Sequence, residues 1–204
     1  MKKKKDYRTP VAVDGQNVAF SHGEFINKQN KRKERFFSYQ GLIDLAQALN
    51  KNDFRPVIFL PNYWIIAKIM EKNMQNVENP STLKREIRKL LRKKEIRFLK
   101  CKWDADDPLI MKYAYDNKCG IISNDTNFLE HTENYPEEEK LKWKEWLFHN
   151  VHQYDYEDGY FKPWNRDLIY HDIEVDYDDI YHEDYILLDG DVDVMFRGDM
   201  SNFY

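Results

Sequence analysis

Cysteine and long apolar runs are scarce in this sequence. Only two cysteines, Cys101 and Cys119, occur in 204 residues, too few to form a zinc site on their own. No apolar run approaches the ~20 residues that cross a bilayer, and the lysines at positions 2–5 are followed by Asp6 and not by an apolar segment. We therefore expect no membrane span, no secretory signal, and reduced thiols in a cytoplasmic protein.

The composition is that of a folded chain. Hydrophobic residues make up 42% and aromatic residues 15%, more than a disordered chain contains, although 33% of residues are charged and the mean hydropathy is -0.84. The length fits one ordinary domain with an appendage. The sequence therefore predicts one packed domain with a heavily charged surface.

Charge is divided unevenly along the chain. Residues 165–204 contain twelve acidic residues against Arg166 and Arg197, a formal balance of -10, which leaves +6 on residues 1–164. A basic body joined to an acidic end suggests a polyanionic partner for the body, although a solvated charged face is the simpler interpretation of any single charge run.

Short apolar runs alternate with helical patterns. Apolar segments without polar alternation are typical of buried parallel strands, and helical spacing of apolar residues predicts the elements between them. Such alternation predicts a three-layer α/β/α domain with a mostly parallel central sheet. The expected strands are 11–13, 56–60, 96–99 and 120–123; the expected helices are 39–50, 64–74, 82–94 with Ser81 or Thr82 as N-cap, one opening at Asp107-Pro108, and 137–148 around Leu141, Trp143, Trp146 and Leu147. The polar segments 21–38 and 130–138 are expected to be loops.

Acidic residues fall where the predicted strands end. Asp14 ends the first strand, Asp106 and Asp107 open the helix after the third, and Asp125 follows the fourth. The carboxyl ends of parallel strands meet in one crevice, so these four side chains are expected to lie together there. Each also has an ordinary structural role open to it, as a turn, a helix cap or a loop residue.

Clustered carboxylates repel one another unless a cation neutralises them. Carboxylate oxygens suit Mg²⁺ or Mn²⁺, which retain bound water and readily bind phosphate. The pattern therefore indicates metal-assisted hydrolysis of a phosphodiester.

The same residues carry a family resemblance. Residues 11–23 (VAVDGQNVAFSHG) resemble the opening motif of the PIN-like, NYN-related ribonuclease domain of the regnase (MCP-induced protein) endoribonucleases. Residues 106–115 resemble the paired-aspartate helix of that domain, and 120–126 resemble its Ser-Asn-Asp strand end. Residues 143–146 and 160–163 resemble the C-terminal part of the same domain. The resemblance covers about residues 10–164 and implies a PIN-like fold.

The resemblance also implies roles for individual residues. Asp14, Asp106, Asp107 and Asp125 would carry the metal, Mg²⁺ or Mn²⁺, and its activated water, and Asn17 would help to position the scissile phosphate. The substrate would be single-stranded or loop RNA, and the products would be a 5′-phosphate and a 3′-hydroxyl.

The chain departs from the family pattern in three places. The family has a further aspartate four positions after Asp125, where this chain has Leu129, so either Glu130 substitutes or the site has one acid fewer. The segment before the paired aspartates is shorter, and Asp104 makes the identity of the pair less certain. No CCCH zinc finger can be formed from two cysteines.

The predicted helix at 82–94 is rich in lysine and arginine, and this cationic helix supplies a candidate RNA surface. Its basic residues and a nearby tryptophan could follow an RNA backbone and stack on a base. A solvated basic face, with Trp103 in the core, is the other interpretation. The candidates are Arg85, Arg88, Lys89, Arg92, Lys100, Lys102 and Trp103.

Three functions compete. A metal-dependent endoribonuclease is favoured, and a catalytically weak RNA-binding or scaffold module with a PIN-like fold is the alternative, because Leu129 stands where an acid is expected. A phosphatase is disfavoured, since no second aspartate lies two positions after Asp14. The sequence leaves open whether the protein forms a homodimer.

The predicted organisation has three parts. They are a basic tail (1–9), the nuclease domain (10–164) and an acidic extension (165–204). A hairpin around Asp189-Gly190-Asp191 is expected in the extension. It could compete with RNA for the cationic helix, or it could serve only solubility.

Overall fold

The structure is a computed structural model. It describes residues 8–30, 36–61, 64, 80–101, 106–133, 135–157, 160–163 and 168–175, and of these residues 80, 81, 100, 101 and 106 are described by their backbone alone.

A five-stranded parallel sheet forms the centre of the molecule. Its spatial order is β3-β2-β1-β4-β5, and each neighbouring pair runs parallel. The strands are apolar because both faces of the sheet are covered. They are β1 (Thr9–Asp14), β2 (Phe54–Pro61), β3 (Arg97–Cys101), β4 (Ile121–Ile122) and β5 (Val151–His152).

Five α-helices and one 3₁₀ helix are described around the sheet. Their bounds are α1 (Gly15–Asn30), α2 (Tyr39–Lys51), α3 (Pro80–Arg92), α4 (Asp106–Asp116), the 3₁₀ helix (Asn127–Thr132) and α5 (Glu137–Asn150). The predicted three-layer α/β/α class is confirmed.

Successive residues of the central strand point into two separate cores. Val11 and Val13 of β1 belong to the first core, in which α1, α2 and α3 pack, whereas Ala12 belongs to the second core with α4 and α5. This alternation is the period of two that a strand imposes. Because β1 is central, the carboxyl end of this strand is enclosed by both helical layers.

A small antiparallel hairpin lies beside the first core. It consists of β6 (Tyr154–Glu157) and β7 (Tyr160–Pro163), and the sequence analysis missed it together with β5. Tyr154, Tyr156 and Phe161 are buried in the first core. The hairpin positions Tyr154 close to the carboxyl edge of the sheet.

Residues 168–175, in the first part of the acidic extension, also pack on the body. Leu168 is buried in the first core and Val175 in the second. Part of this extension is therefore attached to the domain by apolar contacts.

The segment 21–38, expected to be a loop, begins as a helix. α1 extends to Asn30 because Val18, Ala19, His22 and Asn27 recur with helical spacing and are buried. Gly23 lets the helix approach the next segment, since a Cβ there would lie 2.1 Å from the carbonyl oxygen of Phe36. The polar side chains of this helix concealed its buried face.

Four smaller expectations are corrected. The segment 130–138, expected to be a loop, begins in the 3₁₀ helix and ends in α5. Neither Ser81 nor Thr82 is the N-cap of α3, because this helix already begins at Pro80. Asp107 lies inside α4 and does not cap it, since the helix begins at Asp106. Leu141 is 59% exposed, while Trp143 and Trp146 are buried.

Several expectations fall outside the described residues. These are Lys102, Trp103, the acidic hairpin around residues 185–196, and the helix at 64–74 apart from Trp64. Within the described part of the chain, no helix is long and apolar enough to cross a membrane.

Two histidines are buried among the residues that the structure describes. His22 is 4% exposed, and its Nδ1 lies 2.7 Å from the Oγ of the buried Ser38. Burial lowers the pKa of His22 to about 4, so its 3.7 Å contact with Asp44 is not an ion pair near neutral pH. Burial, and then the neighbouring His171, lower the pKa of His152 to about 4.

We expect stability to fall in mild acid. The unfolded chain binds protons at these histidines below about pH 6.5, whereas the folded chain does so only near pH 4, so the free energy of unfolding decreases across this window by on the order of 3 kcal/mol per histidine. Burial raises the pKa of Asp44, which acts in the opposite sense at the acid end. Urea unfolding measured between about pH 7 and about pH 5 checks this.

His22→Gln removes one titrating group and should flatten this dependence. Leu49→Ala serves as the control, because Leu49 is 2% exposed and does not titrate. It should lower the free energy of unfolding by a similar amount at every pH. An equal pH dependence in wild type and His22→Gln would contradict the assignment.

Candidate active site

Asp14 lies where the central strand passes directly into a helix. It is the last residue of β1 and caps α1, because its Oδ1 accepts a hydrogen bond from the backbone N–H of Asn17 at 2.9 Å. Asp14 as a whole is only 4% exposed. Gly15 permits the sharp change of direction, since a Cβ there would lie 2.6 Å from the carbonyl oxygen of Phe59.

Ser123 connects Asp14 to the end of the neighbouring strand. It follows β4 and is fully buried, and its Oγ donates a hydrogen bond to Asp14 Oδ2 at 2.8 Å. The same Oγ accepts a hydrogen bond from the backbone N–H of Asp125 at 3.0 Å. Asp125 Oδ1 in turn accepts from the N–H of Asn127 at 2.8 Å, which opens the 3₁₀ helix. One hydroxyl therefore links the Asp14 carboxylate to the backbone of Asp125.

Asn17 is held in a defined orientation beside these acids. Its Oδ1 accepts hydrogen bonds from the backbone N–H of Asn124 at 2.9 Å and from the hydroxyl of Tyr154 at 2.7 Å. A backbone N–H can only donate, so the atom facing it must be the amide oxygen. The Nδ2 group of Asn17 is thereby left as a donor for another acceptor.

Tyr154 and Asn124 fix one another. Asn124 bonds both backbone groups of Tyr154, donating through Nδ2 to its carbonyl and accepting through Oδ1 from its N–H, each at 3.0 Å. Burial raises the pKa of Tyr154, and the negative charges of Asp14 and Glu24 add to this. Tyr154 therefore remains protonated and donates to Asn17.

The first turn of α4 lies at the same edge of the sheet. α4 is the next described element after β3, and Asp106, described by its backbone alone, is its first residue. Asp107 is partly exposed, and its Oδ2 lies 3.3 Å from Nε2 of His131 in the 3₁₀ helix that follows Asp125. The contact links the paired-aspartate helix to the segment after β4.

Leu129, which stands where the family has a further aspartate, lies in apolar surroundings. Leu129 is half-buried and packs against the core formed with α4 and α5, whereas Glu130 is exposed. The contact of this segment with Asp107 is made by His131.

The oxygen atoms available for a divalent cation are carboxylates. Asp14, Asp107 and Asp125 offer them at one edge of the sheet, which suits Mg²⁺ or Mn²⁺. Across the described residues, no three ligating side chains are already grouped as a metal cage. Mg²⁺ commonly uses one or two protein carboxylates and retains waters, so this donor set fits such an ion.

The cationic helix presents a continuous basic stripe. Arg85, Arg88, Lys89, Arg92 and Lys93 line a shallow groove of about 470 Å³ along α3. Within this stripe, Lys89 Nζ lies 3.6 Å from Glu86 Oε2, and such exposed pairs contribute little.

The stripe runs away from the aspartates. α3 ends immediately before β3 begins, so Arg92 lies at the amino edge of the sheet. A hydrogen bond of 2.8 Å from Arg8, which precedes β1, to the carbonyl of Lys94 confirms this placement. Arg85 is thus closer to the carboxyl edge than Arg92. Lys100 lies in β3 beside Leu60.

Sequence reasoning found the aspartates and Asn17 but assigned no role to Ser123, Asn124, Tyr154 or His131. The first two lie in the Ser-Asn-Asp motif that was already visible at residues 123–125. Tyr154 and His131 carry no spacing pattern that points to the site. Only the folded chain brings them to Asn17 and Asp107.

Ser123→Ala should lower the free energy of unfolding by about 1–3 kcal/mol, because it removes a buried donor from the Asp14 carboxylate. The acceptor for the Asp125 N–H is lost at the same time, so hydrogen exchange at that amide should accelerate. Denaturant unfolding and amide exchange measure the two effects.

Ser38→Ala provides the control, because Ser38 is an equally buried serine that contacts His22 instead. It should leave exchange at Asp125 unchanged. Equal exchange at Asp125 in wild type and Ser123→Ala would show that Ser123 does not hold this segment.

A ribonuclease family model matches most of the chain. The model of the Zc3h12a-like Ribonuclease NYN domain matches residues 7–171, which includes β1, the first turn of α4 and the end of β4. The match covers most of the chain and places the described aspartates inside a ribonuclease domain. The chain belongs to the Zc3h12a-like ribonuclease NYN domain family, the regnase type that its motifs resemble.

Proposed function

We propose that this protein is a metal-dependent endoribonuclease that hydrolyses single-stranded or loop RNA. The observation that carries the proposal is the hydrogen-bonded link from Asp14 through Ser123 to Asp125, in a chain of a ribonuclease family. A buried carboxylate held at a strand end by two donors is suited to a fixed catalytic position and contributes little to ordinary packing.

Asp14, Asp106, Asp107 and Asp125 are the residues proposed to hold Mg²⁺ or Mn²⁺. When bound, such an ion activates water and stabilises the charge that develops on the phosphoryl oxygens. Leu129 stands where the family has an aspartate, so these four acids are the proposed set, and Glu130 is the alternative to the missing one.

Asn17 is proposed to donate from Nδ2 to a phosphate oxygen. Its Oδ1 is occupied by Asn124 and Tyr154, so the amide is already oriented before substrate binds. Such preorganisation avoids reorganisation during the reaction. Tyr154 and Asn124 act through Asn17 and are positioning residues.

The reaction proposed is hydrolysis with departure of the 3′ oxygen. Water adds to phosphorus, the bond from phosphorus to the 3′ oxygen breaks, and the leaving oxygen takes up a proton. The products are a 5′-phosphate and a 3′-hydroxyl.

The basic stripe of α3 is proposed to bind the RNA backbone outside the catalytic edge. Arg85, Arg88, Lys89 and Arg92 would contact phosphates, and Lys100, Lys102 and Trp103 are proposed as further RNA contacts. Because the stripe recedes from Asp14, it would bind a flanking stretch of RNA.

A catalytically weak RNA-binding module is the second candidate function. Leu129, half-buried where the family has an acid, favours it. Binding of RNA without metal-dependent cleavage would select this candidate over the nuclease.

A cytoplasmic location is also proposed. Cys119 is a free, buried thiol, and burial raises its pKa to about 12. Burial keeps this thiol inert in any compartment, so the proposed location rests on the small number of cysteines in the sequence.

Asp14→Asn and Asp125→Asn should each lower the cleavage rate by about tenfold or more, because a metal clamp supplies several kcal/mol of transition-state stabilisation. The measurement is cleavage of an end-labelled single-stranded RNA with Mg²⁺ or Mn²⁺ added, and with a chelator. Chelation should abolish cleavage by the wild type.

Asp53→Asn is the matched control for the loss of one charge. Asp53 is exposed, precedes β2 at the opposite edge of the sheet, and has a φ of 62° that asparagine also tolerates. Near-normal cleavage by folded Asp14→Asn and Asp125→Asn would refute the proposed site.

Replacing Arg88, Lys89 and Arg92 together with alanine should weaken RNA binding and reduce its salt dependence. Each lost phosphate contact lowers the slope of log affinity against log salt by about 0.7 for single strands, through reduced counterion release. Fluorescence anisotropy over a salt series measures the slope.

Alanine at Lys51, Lys112 and Lys142 removes the same charge from dispersed positions. The latter two pair with acids of their own helices, Asp116 and Glu139. If both triple variants give the same slope, general charge and not the stripe accounts for the effect.

A further inference from the structure

A cavity of about 560 Å³ opens beside Asp125. Its wall includes Asp125 and Thr126 after β4 and Phe148, His149 and His171. The volume lies within the ~300–1,000 Å³ typical of small-ligand sites. The cavity therefore begins at a proposed catalytic acid and extends across the last turn of α5.

Phe148 is the most exposed large apolar side chain among the described residues. It is 82% exposed, although burial would remove its apolar surface from water at a substantial gain. Its ring meets that of His149 edge to face at 5.2 Å, and His149 lies 4.8 Å from His171. Three rings thus form an aromatic wall on this cavity.

The cavity lining also includes a cationic side chain. Lys144 lines it and lies one helical turn before Phe148, on the same face of α5. Phe128 and Leu147, both buried, line it as well. An exposed aromatic ring, a lysine and an apolar cavity floor are the elements with which proteins bind a single-stranded nucleotide.

We infer that this cavity is a nucleotide subsite of the enzyme. The base of a nucleotide next to the scissile phosphate stacks on Phe148, and a backbone phosphate of that nucleotide lies near Lys144. The inference rests on the proposed function, because Asp125 then marks where the RNA is cut. It adds a second RNA contact on the face of the sheet opposite α3.

A second copy of the chain is the competing occupant. Leu141 is 59% exposed and lies two turns before Phe148 on the same side of α5, so the pair could form an apolar interface. The nucleotide is favoured because the cavity is continuous with Asp125 and is lined by a lysine and histidines, whereas Leu141 does not line it.

The test is an abasic scan with the full chain. A labelled single-stranded RNA is prepared with its bases removed one position at a time. Binding of each RNA is measured by anisotropy with a chelator present, so that no cleavage occurs. Wild type should lose about five- to tenfold in affinity when the stacked base is missing.

Phe148→Ala should bind intact RNA about five- to tenfold more weakly and should be insensitive to base removal at that one position. Phe148→Tyr, which retains the ring, should behave as wild type. Leu141→Ala, exposed on the same face, should retain the wild-type profile. Because Phe148 and Leu141 are exposed, these variants should fold as the wild type does. Circular dichroism checks this.

The outcomes separate the two proposals. An unchanged abasic profile in Phe148→Ala overturns the subsite, even if the wild type cleaves RNA. A profile that depends on Phe148, with no metal-dependent cleavage, supports the subsite and refutes the nuclease. Failure of the wild type to bind RNA refutes both. A change in sedimentation of Phe148→Ala and Leu141→Ala without a change in the RNA profile assigns this face to a second copy.

Discussion

The organisation of this site depends on two hydrogen bonds that the Asp14 carboxylate accepts. One oxygen caps α1 through the N–H of Asn17, and the other accepts from Ser123 at the end of the next strand. A buried carboxylate needs such donors, since burial without them is costly. The same bonds bring the start of α1 and the end of β4 together, so the stability of the fold and the geometry of the site have a common origin.

The remaining site residues are arranged around this centre by successive contacts. Ser123 holds the backbone of Asp125, Asn124 joins Asn17 to the hairpin through Tyr154, and His131 reaches Asp107. Each contact joins a different element of the chain to the carboxyl edge of the sheet. The proposed catalytic side chains, which come from distant parts of the sequence, are thereby supported by rigid elements, as precise positioning requires.

The proposed RNA-binding stripe and the proposed catalytic edge occupy different parts of the surface. The basic stripe of α3 recedes from Asp14, because α3 runs antiparallel to the strands and ends beside the start of β1. The aromatic cavity of α5 lies instead beside Asp125. An RNA held at both places would cross the catalytic edge between them. Electrostatic attraction would then serve capture, and base stacking would serve placement.

The sequence by itself determined the fold class, the four strands with buried apolar runs, and the location of Asp14, Asp107 and Asp125 at strand and helix ends, because apolar periodicity and chain order are local properties. It failed for α1, whose polar residues conceal a buried face, and for the short β5 and the β6–β7 hairpin. Only the tertiary structure decided the partners of Asn17 and Asp107. Tyr154 and His131 reach them across 137 and 24 residues of chain, and contacts at such separations depend on how the layers pack and leave no periodic pattern in the sequence.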